Sequence, residues 1–119
     1  MRITLGLPSR PFYAIKNKTK KIEGRVTTSS TDKYKDLKTG DIITFNNEDN
    51  GEVMDVLVKF VHHYQDTRTM LETEGVENVM SGEPKTIEHG IEAYNSFEGY
   101  KEGIIKNGIY AIGIEPIVK

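Results

Sequence analysis

The sequence predicts an α+β fold, a small mixed and mostly antiparallel β-barrel with flanking helices. Three observations point to it. Short segments at residues 2–7, 21–28, 42–45, 53–61 and 109–117 place apolar residues at every second position or in short runs, as strands do. Turns rich in Gly, Asn and Asp separate several of them, which favours antiparallel hairpins. Between the fourth and fifth segments the apolar spacing changes to the helical period. At 119 residues the chain is expected to be one domain, 1–119.

The elements follow in order. In residues 2–7, Ile3, Leu5 and Leu7 alternate with polar or small residues. Ser9 is positioned to cap a helix that begins near Pro11, carries Phe12 and Ile15 on one face and stops at Asn17. Residues 21–28 put Ile22, Gly24 and Val26 on one side and Lys21, Glu23 and Arg25 on the other. Such a strand buries the first set and offers the second to solvent or a cleft. A turn at 37–41 leads into strand 42–45. The turn 46–51, of residue types that tolerate left-handed conformations, joins it to the long strand 53–61. There Met54, Val56, Val58 and Phe60 are expected to share a face. Asp66 is positioned to cap a helix through Met70 and Leu71 that ends at Gly75. Pro84 and Thr86 open a second helix with Ile87, Ile91 and Tyr94 at helical spacing, and a short helical segment covers 97–105. Residues 109–117 return to strand, with Pro116 placing the end at a sheet edge. The first and last strands are expected to meet and close the barrel.

Composition excludes several classes of function. With no cysteine, the chain has no disulfide, thiolate zinc site, iron–sulfur cluster or cysteine nucleophile. No apolar run approaches the roughly 20 residues that span a bilayer. The opening MRITLGLPSRPF lacks the apolar core of a signal peptide, so the cytoplasm is the expected compartment. The net charge of −2 hides a polarised chain. Up to Lys38 there are ten basic residues against three acidic ones, a net of +7; the remainder has six against fifteen, a net of −9. A local positive surface attracts phosphates despite an acidic overall balance, although a solvated lysine-rich face without a partner has the same signature.

The chain has no GxxxxGK(S/T) loop, no GxGxxG and no HExxH, and nothing frames a Ser-His-Asp nucleophile. The histidines are His62, His63 and His89. Adjacent His62 and His63 in a strand point to opposite faces, so neither a metal site nor a cofactor is expected. His62 is expected on the Phe60 face and His63 near a strand end. The dense polar segment is 16–25, KNKTKKIEGR. Glu23 and Arg25, two apart in a strand, lie side by side. Their pairing would orient both and leave guanidinium donors for a phosphate or a base edge. Lys20 and Lys21 stand where a backbone bend can turn either ammonium to the same spot. A lysine beside a carboxylate can shuttle protons if burial lowers its pKa, or hold an anion. The plain alternative is a surface salt bridge worth about 0–1 kcal/mol.

Residues 12–16 (FYAIK), 20–25 (KKIEGR), 39–45 (TGDIITF) and 108–115 (GIYAIGIE) resemble the ASCH (activating signal cointegrator homology) domain. The middle stretches 75–82 (GVENVMSG) and 86–94 (TIEHGIEAY) are similar to small stand-alone bacterial and phage ASCH proteins. The resemblance covers nearly the whole chain. It implies a PUA-like β-barrel with helices around a cleft, and a role in RNA or modified-nucleoside biology. The family's polar signature, Lys, then Glu or Thr, then Arg, falls on Lys20, Glu23 and Arg25. Some small ASCH proteins are amidohydrolases that deacetylate acetylated cytidine with a lysine, a threonine and a distant glutamate. Lys20 matches that lysine, but Glu23 stands where the threonine would be. Thr19 and Thr27 are not at the matching place, and neither Glu72 nor Glu74 is assigned as the distant glutamate. Others in the wider family are described as ribonucleases.

Two readings compete. In the favoured one the chain is an RNA- or nucleotide-binding module whose ligand is RNA, a nucleotide or a nucleoside, with no membrane contact. Lys20, Lys21, Glu23 and Arg25 line its cleft, Lys16 and Lys18 stand at the rim, and Tyr64 stacks an unpaired base. In the alternative it is a hydrolase, amidohydrolase or ribonuclease, with Lys20 as acid or base and Glu23 as its partner. A protein-interaction domain without a small ligand is the third possibility.

Overall fold

In the computed structural model, which describes residues 1–118, the expected strands come together as one curled, mixed sheet of five. They are β1 (Arg2–Leu7), β2 (Ile22–Arg25), β3 (Ile42–Asn47), β4 (Val53–Tyr64) and β5 (Ile109–Pro116). Five helices surround it: α1 (Ser9–Lys16), α2 (Thr67–Glu74), α3 (Val76–Val79), α4 (Ile87–Ser96) and α5 (Tyr100–Asn107). The fold is α+β, a half-barrel consistent with a PUA-like barrel. The strand order is β1-β3-β4-β5-β2. Only β1 and β3 run parallel; the β3–β4, β4–β5 and β5–β2 pairs are antiparallel.

That order corrects one expectation. The first and last strands do not meet, because both sides of β5 are already taken by β4 and β2. The two edges are β1 and β2. A side chain spans the gap between them: Arg25 Nη2 on β2 donates to the Gly6 carbonyl on β1 at 3.0 Å. Pro116 lies past the end of β2, whose register with β5 stops at Ile22 opposite Gly113, so its missing N–H leaves no gap in the ladder there.

The sheet buries apolar side chains on both faces. On one, Leu5, Ile43, Phe45, Val56, Val58 and Ile112 pack with Phe12 and Ile15 of α1 and with Tyr34 and Leu37. On the other, Ile22, Val26, Ile109 and Ala111 meet Met70 and Leu71 of α2, Val79, Tyr94 and Ile104. A bulge between Val58 and Phe60 divides β4 between these clusters. The extra residue, Lys59, reverses the alternation. Phe60 and Tyr64 therefore pack with the second cluster and Val61 with the first, and Phe60 does not share the face of Met54, Val56 and Val58. The Phe60 ring occupies the space over Gly113, where a Cβ would stand 2.2 Å from it.

Helix starts follow local chemistry. Asp66 accepts from the Thr69 N–H at 2.8 Å and Thr86 Oγ1 from the His89 N–H at 3.2 Å, as N-caps do. Ser9 does not cap α1. Pro8 holds that position, and Ser9 is the first helical residue. Its N–H donates to Asp49 Oδ2 at 2.9 Å and its hydroxyl to Asn47 Oδ1 at 3.3 Å, so the β3–β4 turn pins the helix start. The short α3 was not anticipated, and α5 begins at Tyr100 rather than at residue 97, after Gly99 with φ 77°. Among the described residues no helix is long and apolar enough to cross a membrane.

Candidate functional site

Glu23 and Arg25 of β2, with Lys20 just before the strand, face a cavity of about 640 Å³ at the gap between the sheet edges. The β1–α1 turn forms one wall, and the α3–α4 connection, α4 and the start of α5 form the others. In register, Glu23 stands opposite Ile112 and Arg25 opposite Tyr110, so both turn to the face that holds α1. These side chains face a cleft and not bulk solvent: Lys20 is 5% and Glu23 6% exposed.

Every charge in this floor is committed to a partner. Lys20 Nζ donates to the Ile22 carbonyl at 2.7 Å and to the Val79 carbonyl, and stands 3.5 Å from Glu23 Oε1. An ammonium has three N–H donors, and these partners use all three. Arg25 Nε donates to Glu23 Oε2 at 2.7 Å while Nη2 reaches Gly6. Burial lowers the Lys20 pKa, against the pull of Glu23, and the nearby Arg25 charge adds to the drop. Burial opposes the Arg25 charge too, but Glu23, Tyr100 and Tyr34 outweigh it and raise its pKa. The guanidinium is therefore permanently charged. Each oxygen of Glu23 is engaged by one protein cation and keeps acceptor capacity toward the cavity.

Aromatic side chains surround the pair. The pKa of Tyr94 is raised, first by burial and then by the Glu23 charge; those of Tyr34 and Tyr100 are raised by burial against the opposing Arg25 charge. All three phenols stay neutral near pH 7. The hydroxyl of Tyr94 lies against β2 where only glycine leaves room, since a Cβ on Gly24 would be 2.3 Å from that oxygen. Tyr94 and Tyr100 are nearly parallel at 6.4 Å, and Phe97 meets them edge-on at 5.9 and 5.4 Å. Phe97 lines the cavity yet is 52% exposed, which makes it an aromatic surface at the mouth. Arg10 and His89 also line the cavity.

The structure thus brings together Lys20, Glu23 and Arg25 from the sequence-predicted set. Lys18 is exposed, in a left-handed turn with φ 65°. The Lys21 side chain is exposed; its backbone N–H donates to the Asn78 carbonyl and its carbonyl accepts from Ile114. Lys16 pairs with Glu52 at 2.5 Å. None of these three lines the cavity. Tyr64 lies elsewhere, donating to Glu74 Oε2 at 2.5 Å, and His62 Nδ1 contacts the same oxygen at 2.6 Å. The Thr19 hydroxyl donates to the Ala14 carbonyl, and that of Thr27 to Asp32. As expected, His62 stacks on Phe60, with ring centroids 4.4 Å apart. Among the described residues no group of three or more His, Asp or Glu could hold a metal ion.

Sequence reasoning missed Arg10, Phe97 and Tyr100, and took Tyr94 only as a core position. The signal available was the run of aromatics at 94, 97 and 100 in YNSFEGY, three residues apart beyond a helical stripe.

The ASCH domain model matches residues 5–118. The crystal structure of hypothetical protein PH0355 is similar over 98% of this chain and 100% of its own, with 39% identity and a TM-score of 0.81. The solution NMR structure of protein PF0455 from Pyrococcus furiosus is similar over 100% of both chains, with 39% identity and a TM-score of 0.76. No curated protein matches the chain. With its length matched almost end to end and the half-barrel in place, the chain belongs to the ASCH domain family.

Proposed function

We propose that the cavity binds one unpaired base of RNA, or the equivalent nucleotide or nucleoside. The ASCH family is generally linked to RNA binding. The observation that supports this reading is that the buried Lys20–Glu23–Arg25 cluster and the half-exposed Phe97 ring line one cavity. A base offers a flat apolar face and an edge of fixed donors and acceptors, and RNA readers stack the one while hydrogen-bonding the other. Phe97 supplies the stacking surface. Glu23, fixed from both sides by Lys20 and Arg25, supplies an acceptor for an amino or imino N–H of the base. Arg10, at the rim, is placed for a phosphate. The volume of about 640 Å³ is in the range of small-ligand pockets.

The hydrolase alternative gains no support from the geometry. A proton shuttle needs a donor or lone pair free for substrate, and the Lys20 ammonium is spent on two backbone carbonyls and Glu23. Its role in this reading is to anchor β2 to α3 and to hold Glu23. A chromatographic time course with acetylated cytidine is accordingly expected to show no release of cytidine.

Calorimetric or NMR titration with the four nucleosides and a short single-stranded RNA at low salt tests the binding reading. Phe97→Ala should cost about 1–3 kcal/mol of binding. Absence of binding by all of these ligands would falsify it.

A further inference from the structure

We infer that the base held in the first cavity belongs to a chain, and that a second cavity beside it receives the adjoining phosphodiester and sugar. The inference rests on the reading of the first cavity as a base site. The second cavity, of about 420 Å³, lies under the loop that follows β2. It shares Arg25 and Tyr100 with the first, so a ligand running from one to the other passes a permanent cation and a neutral phenol.

Its chemistry differs from that of its neighbour. Thr28 and Thr31 bring hydroxyls, Lys33 an ammonium, and no carboxylate lines it; the Thr27 and Ser29 hydroxyls donate within the loop, to Asp32 and to the Thr31 carbonyl. Hydroxyls and a cation suit a phosphodiester and a ribose. Among the described residues the Lys33 ammonium has no ion pair and sits 5.7 Å from the centre of the Tyr34 ring. Within residues 26–33 the one acid, Asp32, is locked away from this role. Asp32 Oδ1 accepts from the Thr27 hydroxyl and from the N–H groups of Tyr34 and Lys35 at 3.0–3.1 Å, and Oδ2 accepts from the Tyr110 hydroxyl at 2.7 Å. Those four bonds shape the loop and keep a negative charge from competing for Lys33. The polar segment 26–33 thus has two sides, one tied into the fold and one open to an anion.

Calorimetry at low salt with nucleosides, their 5′- and 3′-monophosphates and the dinucleoside monophosphates tests this, on the wild type and on Lys33→Gln. The expected result is a dinucleoside monophosphate bound about tenfold more tightly than the nucleoside and more tightly than either mononucleotide. Lys33→Gln should remove most of that gain, leave nucleoside binding unchanged and lower the log–log salt slope by about 0.7. Lys33 is exposed, so its replacement should leave the thermal melt in place. Equal binding of nucleoside and dinucleoside monophosphate overturns the inference while the base site stands. So does equal binding of mononucleotide and dinucleoside monophosphate, which would make the ligand a free nucleotide, or a chain gain that survives Lys33→Gln. If no nucleoside, nucleotide or dinucleoside monophosphate binds, the base-site reading and this inference fail together.

Discussion

Two lysine–glutamate–tyrosine groupings occupy this small fold, and they behave in opposite ways. On the outside, Lys16 Nζ meets Glu52 Oε2 at 2.5 Å while the Tyr13 hydroxyl donates to Glu52 Oε1 at 2.8 Å. In the cavity, Lys20 and Arg25 flank Glu23, and Tyr94 lies against the same strand. The side chains of the outer pair are 51% and 34% exposed, those of Lys20 and Glu23 5% and 7%. The outer lysine has its pKa raised, first by its hydrogen bond to Glu52; the inner one has it lowered, first by burial. The residue types are nearly the same, and burial decides the outcome. In water the pair is a tether between α1 and the β3–β4 turn. Out of water it is a fixed array of charges whose remaining capacity points into a cavity.

Removing the shared carboxylate from each grouping sharpens the contrast. Glu23→Ala leaves two cations in a buried site with no counter-charge, and the loss should be about 3–5 kcal/mol in a urea melt. Glu23→Gln keeps an acceptor for Arg25 and should lose less. A loss under about 1 kcal/mol for Glu23→Ala would mean that water reaches the floor freely and that the inner pair is no different from the outer one.

The next largest effect concerns the strand that carries the inner cluster. Ile22 is buried in the second core cluster, and Ile22→Ala should cost roughly 2–4 kcal/mol. The side chain of neighbouring Lys21 is exposed, and Lys21→Ala should stay within about 0.5 kcal/mol. Equal small effects would place the wrong face of β2 against the helices.

The alternation that made β2 readable also explains what could be read of the site. A period of two put Glu23 and Arg25 on one face opposite Ile22, Gly24 and Val26, and the structure keeps that division. Two of the three expected caps were equally legible: Asp66 and Thr86, unlike Ser9, begin their helices where short polar side chains reach a free N–H. The bulge at Lys59 left no such mark, because the extra residue is identified only by its partner across the ladder. Sequence did not say which of Lys18, Lys20 and Lys21 turns inward. That depends on the Val79 carbonyl, contributed by a helix 59 residues away. Tyr64 had the position of a stacking residue at the end of the long strand, yet it packs half-buried on the second cluster and Glu74 holds its hydroxyl. Arg10, Phe97 and Tyr100 are remote in sequence and converge only because α1, α4 and α5 close over the gap between β1 and β2.

Asp32 gives a middle case, partly exposed but saturated with donors. Burial acts to raise its pKa, but the bonds from Tyr110, Tyr34, Thr27 and Lys35 prevail and lower it. The unfolded chain therefore takes up the proton first as pH falls. The stabilisation is complete above the ordinary aspartate value of about 4 and fades as pH drops through the lower folded value. Asp32→Ala should cost about 1–2 kcal/mol at pH 7. In urea melts the gap between wild type and variant should narrow toward pH 2. A gap independent of pH would show that packing, and not the carboxylate, accounts for the cost.

The smallest effect is expected at the outer grouping. Glu52→Ala removes the partner of Lys16 and of the Tyr13 hydroxyl, but both can turn to water, and Tyr13 keeps a bond from Asn50 Nδ2 at 2.9 Å. An exposed ion pair also gives up side-chain freedom to hold its geometry, and salt screens what remains. The melting temperature should fall only slightly at low salt, and the difference should vanish in 1 M salt, where the screening length is about 3 Å. The Glu23→Ala loss should depend far less on salt, because buried charges are screened much less than exposed ones. A large, salt-independent loss for Glu52→Ala would make the outer pair a structural element in its own right, and exposure would no longer separate the two groupings.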